Sequence, residues 1–122
     1  MPIVDVTIVV GRDEMVAPGL TQTLADGIGR VLNSPSGQTW VRLHLLAQDR
    51  YAESNSSLSS TELPVFVVLL TSQTPSRSQL DGEIAKLTQA ISAATGRPSD
   101  RVHIEYASSA VGRVAFGGKL VE

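Results

Sequence analysis

With 122 residues, 42% of them apolar, and a formal net charge of −2, the chain is long enough for one domain with a real core. Near-neutral charge with neither a basic face nor an acidic tail argues against nucleic acid or an anionic membrane as partner. There is no cysteine, which excludes a disulfide framework, a thiol nucleophile and a cysteine-based metal site.

No apolar run approaches the ~20 residues of a membrane span, and the N-terminus lacks a basic n-region and a cleavable apolar stretch, so a cytoplasmic protein is expected. Pro2 stands behind the initiator Met1 and ahead of the β-branched run of residues 3–10, which reads as a buried strand. Removal of Met1 leaves a secondary amine on the end of a rigid strand. An α-amino group titrates at about 7.7–8, within reach of general acid–base work. Retention of Met1 makes the same nitrogen a tertiary amide without basicity. Pro is about 5% of all residues, so its place alone decides nothing.

Residues 11–14 end the strand, and Pro18 and Gly19 lead into a helical pattern with Leu20, Leu24, Ile28, Val31 and Leu32 on one face. Gly27 and Gly29 weaken that helix by roughly 1 kcal/mol each against Ala, which suggests close packing there. Residues 33–37 form a turn, and residues 39–46 alternate Val41, Leu43 and Leu45 against Trp40, Arg42 and His44 as a second strand. The serine-rich stretch 48–61 is long for a connection and is expected to hold a hairpin or to pack on a neighbour. Residues 64–71 are apolar on both faces and read as a central strand. A second helix carries Leu80, Ile84, Leu87, Ile91 and Ala94 and stops at Gly96 and Pro98. Residues 101–106 alternate as a fourth strand, and Val114 to Gly118 closes the chain.

The order is β-α-β twice. Pro64 stands 62 positions after Pro2, and Val102 stands 61 after Val41, so residues of about 2–47 and 64–118 read as internal repeats of one domain, 1–122. The expected fold class is α/β, with tandem β-α-β units forming a four-stranded sheet and two helices on one face. The other face, with Trp40, Arg42, His44, His103 and Glu105, is suited to burial against other subunits.

The Met1-Pro2-Ile3 start, Gly11-Arg12 after the first strand, Val41-Arg42, and Phe116-Gly117-Gly118 near the end resemble the tautomerase superfamily, at the length of its fused members. The resemblance implies a keto–enol tautomerase (an isomerase) of a small 2-oxo or enol carboxylic acid. It implies Pro2 as general acid/base, conditional on removal of Met1, with neither cofactor nor metal, and a homotrimer. It places Arg77 from the second unit at the substrate's carboxylate. His103 and Glu105 come from a neighbouring subunit, and Phe116 serves as an aromatic wall. Arg12 and Arg42 are assigned to a second, vestigial site around Pro64. Each candidate also has a plain structural reading: Arg77 as a solvated helix-start residue, His103 and Glu105 as an interface pair, Phe116 as core. Gln38 stands where the superfamily's decarboxylases carry an aspartate, Gln73 replaces one of their arginines, and Phe116 aligns with a glutamate of the dehalogenases. These departures weigh against hydration, decarboxylation and dehalogenation, so hydratase, decarboxylase or dehalogenase chemistry is the alternative reading, with Glu105 as the replacement acid of a hydratase or decarboxylase. A non-catalytic binding or assembly relative that keeps Met1 is the other.

Overall fold

The computed structural model describes residues 2–59 and 62–122; the state of Met1 and the end of the serine-rich connection, Ser60 and Thr61, lie outside the described residues. Strand β1 (Ile3–Val10) leads to helix α1 (Leu20–Val31) and strand β2 (Trp40–Ala47); β3 (Val65–Leu70), α2 (Arg77–Thr95) and β4 (Val102–Tyr106) repeat the pattern. A short hairpin of β5 (Ala115–Phe116) and β6 (Lys119–Leu120) follows.

The four long strands form one sheet in the order β2-β1-β3-β4. Each unit pairs its own strands in parallel, and the units meet at an antiparallel β1–β3 seam. Period-two alternation sends Val4, Val6 and Ile8 of β1, and Val65, Val67 and Leu69 of β3, to the helix-covered side, where all are buried. Leu24 and Ile28 of α1 and Leu87 and Ile91 of α2 close the core over them. Side chains of this size contribute about 1.5–3 kcal/mol each when fully buried. The central strand expected over residues 64–71 is β3, which lies inside the sheet beside β1.

The repeat has a phase that proline spacing misses. Inward-facing Val4 and Val41 are partners in the first unit, as Val65 and Val102 are in the second. Both steps between units are therefore 61 residues. A step of 62, as from Pro2 to Pro64, would exchange the two faces of the sheet. Pro64 consequently matches Ile3, and buried Leu63 matches Pro2. The reading of Pro64 as the relic of the first proline is corrected on that ground.

Helix ends follow their local chemistry. Gln79 accepts the Ser76 N–H at 3.3 Å at the start of α2. Gly96, at φ +73°, ends α2 by donating to the Ser92 carbonyl at 2.9 Å. The connection after β2 is a single 3₁₀ turn at Gln48–Arg50 followed by irregular chain, with no hairpin among the described residues. It folds back onto its own sheet: Tyr51 lies 5.7 Å from Phe66 between ring centroids, and Glu53 joins the Tyr51 hydroxyl to Arg101. Among the described residues no helix is long and apolar enough to cross a membrane.

The two glycines of α1 are not forced by collision. A Cβ on Gly27 would meet Ala90 of α2 at 3.8 Å, an ordinary contact, and on Gly29 it would meet Thr39 Oγ1 at 3.4 Å. Gly82, in the interior of α2, faces open space. Gly82→Ala is expected to stabilise the protein by about 0.5–1 kcal/mol through helix propensity, read as a higher urea midpoint at unchanged slope. An unchanged or lower midpoint would contradict this description of α2.

Candidate active site

Pro2 sits at the end of β1, and its carbonyl accepts the backbone N–H of Trp40 at 3.0 Å. The next residue, Ile3, is paired with β2 on one side and β3 on the other, so the Pro2 ring is carried by a strand fixed along both edges. Pro2 is half-buried and lines a cleft of about 570 Å³. One wall is the loop after α1, with Leu32, Asn33, Ser34, Pro35 and Gln38; the other is the loop after β3, with Thr71, Ser72, Gln73 and Pro75, and Glu83 of α2.

Both walls are held by hydrogen bonds. Asn33 takes the left-handed conformation at φ +52°, which asparagine tolerates better than most side chains, and Ser34 N–H returns to the Gly29 carbonyl at 2.9 Å. Across the cleft, the Thr71 carbonyl accepts Ala110 N–H at 3.0 Å and the Ser72 carbonyl accepts the Ser109 hydroxyl at 2.6 Å. Among the described residues the lining holds no arginine, lysine or histidine, and Glu83 is its one charged group. The Tyr106 hydroxyl donates to Glu83 Oε2 at 2.6 Å. Burial, and then that carboxylate, push the Tyr106 hydroxyl well above the ordinary phenol range, so it stays protonated as a donor.

The other site candidates lie apart from this cleft within the chain. Arg77 opens α2 with its side chain 81% exposed and paired with Asp81 at 3.3 Å. His103 and Glu105 lie on the helix-free face at the β4 edge, level with Phe66 and Val68, and the His103 ring is 5.4 Å from that of Phe66. Phe116 is half-buried and meets the Trp40 ring edge-on at 5.5 Å, one residue removed from Pro2 through the Trp40 main chain. On the same helix-free face, Arg42 grips Asp5 with two hydrogen bonds of 2.6 and 2.8 Å, holding that carboxyl below the usual carboxylate range. Arg12 is exposed in the loop after β1, away from the Pro2 cleft.

No family model and no curated protein matches the sequence. Solved structures do match it over nearly its whole length. Macrophage migration inhibitory factor from Trichinella spiralis aligns with a TM-score of 0.70 and 17% identity, covering 97% of this chain and 98% of that one. A fused 4-OT solved as a symmetric trimer gives 0.74 and 15%, over 98% and 94%. Pt0534, solved after inactivation by 2-oxo-3-pentynoate, gives 0.75 and 16%, over 98% and 94%. The fold is that of the tautomerase superfamily. At this level of identity the match concerns architecture alone.

The tautomerase fold is built here with unequal ends. Where the second unit would mirror the Pro2 cleft, the loop after α2 sends Arg97 into the space beside Leu63. Its side chain is only 12% exposed, and it donates to Glu14 at 2.9 and 3.0 Å and to the Val9 carbonyl at 2.8 Å. This arrangement fills the mirror position with an ion pair. Sequence reasoning missed both Glu83 and this pair. For Glu83 a signal existed: alternation turns Tyr106 inward with Val102 and Ile104, and an inward tyrosine hydroxyl requires a partner from the covering helix.

The Arg97 hydrogen bonds, together with its charge, hold the Glu14 carboxyl below the ordinary glutamate range. Such a group stabilises the fold above its unfolded-state pKa and loses that contribution as pH falls through the lowered folded value. Glu14→Gln is expected to cost about 1.5–3 kcal/mol at pH 7, and the gap from wild type to shrink in acid below pH ~4. Denaturant titrations at the two pH values measure it; a gap independent of pH would remove the ion pair as its cause.

Proposed function

We propose that this protein is a tautomerase of a small 2-oxo or enol carboxylic acid, with Pro2 as the proton-transfer group once Met1 is removed. The observation that carries the reading is Pro2 itself, locked by Trp40 at the end of a doubly paired strand and lining a largely polar cleft whose one charged described group is Glu83. A secondary amine so placed can take a proton from the enol hydroxyl, or from carbon in the reverse direction, and return it one or more atoms away. No cofactor or metal enters this reading. A trimer completes it, burying the helix-free face and bringing His103 and Glu105 of one subunit toward the Pro2 cleft of another, where His103 polarises the carbonyl oxygen. Phe116, edge-on to Trp40, walls the same end of the sheet.

Arg77 has the role of holding the substrate's carboxylate, two residues beyond Pro75 in the cleft wall. It must leave Asp81 to do so, and an exposed i,i+4 pair holds it back by only ~0.3–0.5 kcal/mol. Arg77→Ala is expected to raise KM for a 2-oxo acid by roughly 10- to 100-fold, the loss of one charged hydrogen bond worth about 1.5–3 kcal/mol. An unchanged KM would remove Arg77 from the site.

Two preparations test the role of Pro2, one with Met1 removed and one with it retained, each confirmed by intact mass. The processed form is expected to ketonise phenylenolpyruvate and to gain the mass of one 2-oxo-3-pentynoate, whose activated triple bond accepts an amine nucleophile. The Met1-retained form is expected to do neither, because acylation removes the basicity of the nitrogen. Equal behaviour of the two forms would exclude Pro2, and inertness of the processed form would favour a binding or assembly protein. Light scattering showing a monomer at micromolar concentration would exclude the shared site.

A further inference from the structure

We propose that Glu83 is a second proton-transfer residue of the Pro2 cleft, and that Tyr106 is its positioning residue. The proposal rests on the tautomerase reading and deepens it, dividing between two groups the transfers assigned above to Pro2 alone.

Glu83 and Pro2 line one cleft, and the remaining described lining has no side chain able to exchange a proton near neutrality. Glu83 is half-buried, and among the described residues no arginine or lysine pairs with it; Lys86, one turn along α2, lies in the adjoining groove. Tyr106 occupies one of the carboxylate's acceptor sites at 2.6 Å and leaves further acceptor capacity on a residue that lines the cleft. A carboxylate facing the same cleft as an amine favours the ammonium form of that amine.

The step balances without a further reactant. Glu83 carboxylate takes the enol hydroxyl proton, the O–H electron pair becomes the second bond of the carbonyl, and the C=C pair takes a proton from the Pro2 ammonium at carbon. Transfer from Glu83 back to the Pro2 nitrogen restores the starting state. In the reverse direction neutral Pro2 removes the carbon proton and the Glu83 acid protonates oxygen.

A Tyr–Glu hydrogen bond also has a purely structural use, in satisfying a half-buried hydroxyl. Glu83→Gln separates the two, since the amide oxygen still accepts from Tyr106 but is not a base. In the processed protein Glu83→Gln is expected to lower kcat for phenylenolpyruvate by roughly 100- to 1,000-fold, with KM changed less than threefold and labelling by 2-oxo-3-pentynoate retained. Glu83→Asp is expected to recover part of the rate. Tyr106→Phe should lower kcat by a smaller factor and add nothing to Glu83→Gln in the double variant, because it acts through Glu83. A Glu83→Gln protein with kcat within threefold of wild type would overturn the proposal while leaving Pro2 in place. An additive double variant would overturn the part given to Tyr106. Wild-type protein that is neither labelled nor active would overturn the tautomerase reading and this proposal with it.

Discussion

The antiparallel seam between β1 and β3 is the constraint on which the rest of the structure depends. Each β-α-β unit can satisfy only one edge of its first strand with its own second strand. Joining the two first strands back to back satisfies the remaining edges and merges two small apolar faces into one core. The seam also brings the C-terminal end of β3 beside the N-terminal end of β1, at Ile3 and Leu70. The loop leaving one unit thus becomes a wall around the residue that begins the other, and the Pro2 cleft belongs to both halves.

Symmetry of the backbone does not carry through to the side chains. At one end of the seam lies a half-buried proline ring in an open polar cleft; at the corresponding end lies Leu63, fully inside, beside Arg97 and Glu14. The helix-free face is divided as well. Tyr51 and Phe66 pack over its β3–β4 corner, while Asp5, Arg42 and His44 form a polar cluster over β1 and β2. A partner seated on that face therefore meets an aromatic corner and a charged one.

Much of this was legible in the residues. Alternation at 41 and 43 and at 102, 104 and 106 gave the inward faces, because a one-residue slip would have placed Arg42 or Glu105 in the core; Leu45, further along the edge strand β2, stays 50% exposed. The 3.6-residue spacing of Leu20, Leu24 and Ile28 gave α1 its buried face. Proline identity misled where alternation did not: Pro2 and Pro64 look equivalent, but their separation is even where the sheet requires an odd one. The inward Tyr106 pointed to a partner on the covering helix without saying which residue, and Arg97 gave no signal at all, because both act across sequence. Glu83 and Arg97 are each a lone charged residue next to a helical apolar stripe, and only the folded chain shows that a tyrosine hydroxyl, or Glu14 and a strand carbonyl, waits opposite. The turn of Arg77 toward Asp81 was likewise hidden, since an i,i+4 pair competes with a distant ligand that the sequence cannot weigh.

The plugged end of the seam sets different rules for drift in the two halves. Arg97 reaches from the second unit to the first and spans 83 residues of sequence to Glu14. It ties the chain's two ends of folding together at the place where the opposite half keeps an opening. Substitutions around Leu63 and Arg97 therefore act on a packed, ion-paired corner, whereas those at the corresponding loops around Pro2 act on the walls of an open cleft. A doubled backbone thus closes one end of its seam and keeps the other open, which a single repeated unit would have to do with the same residues.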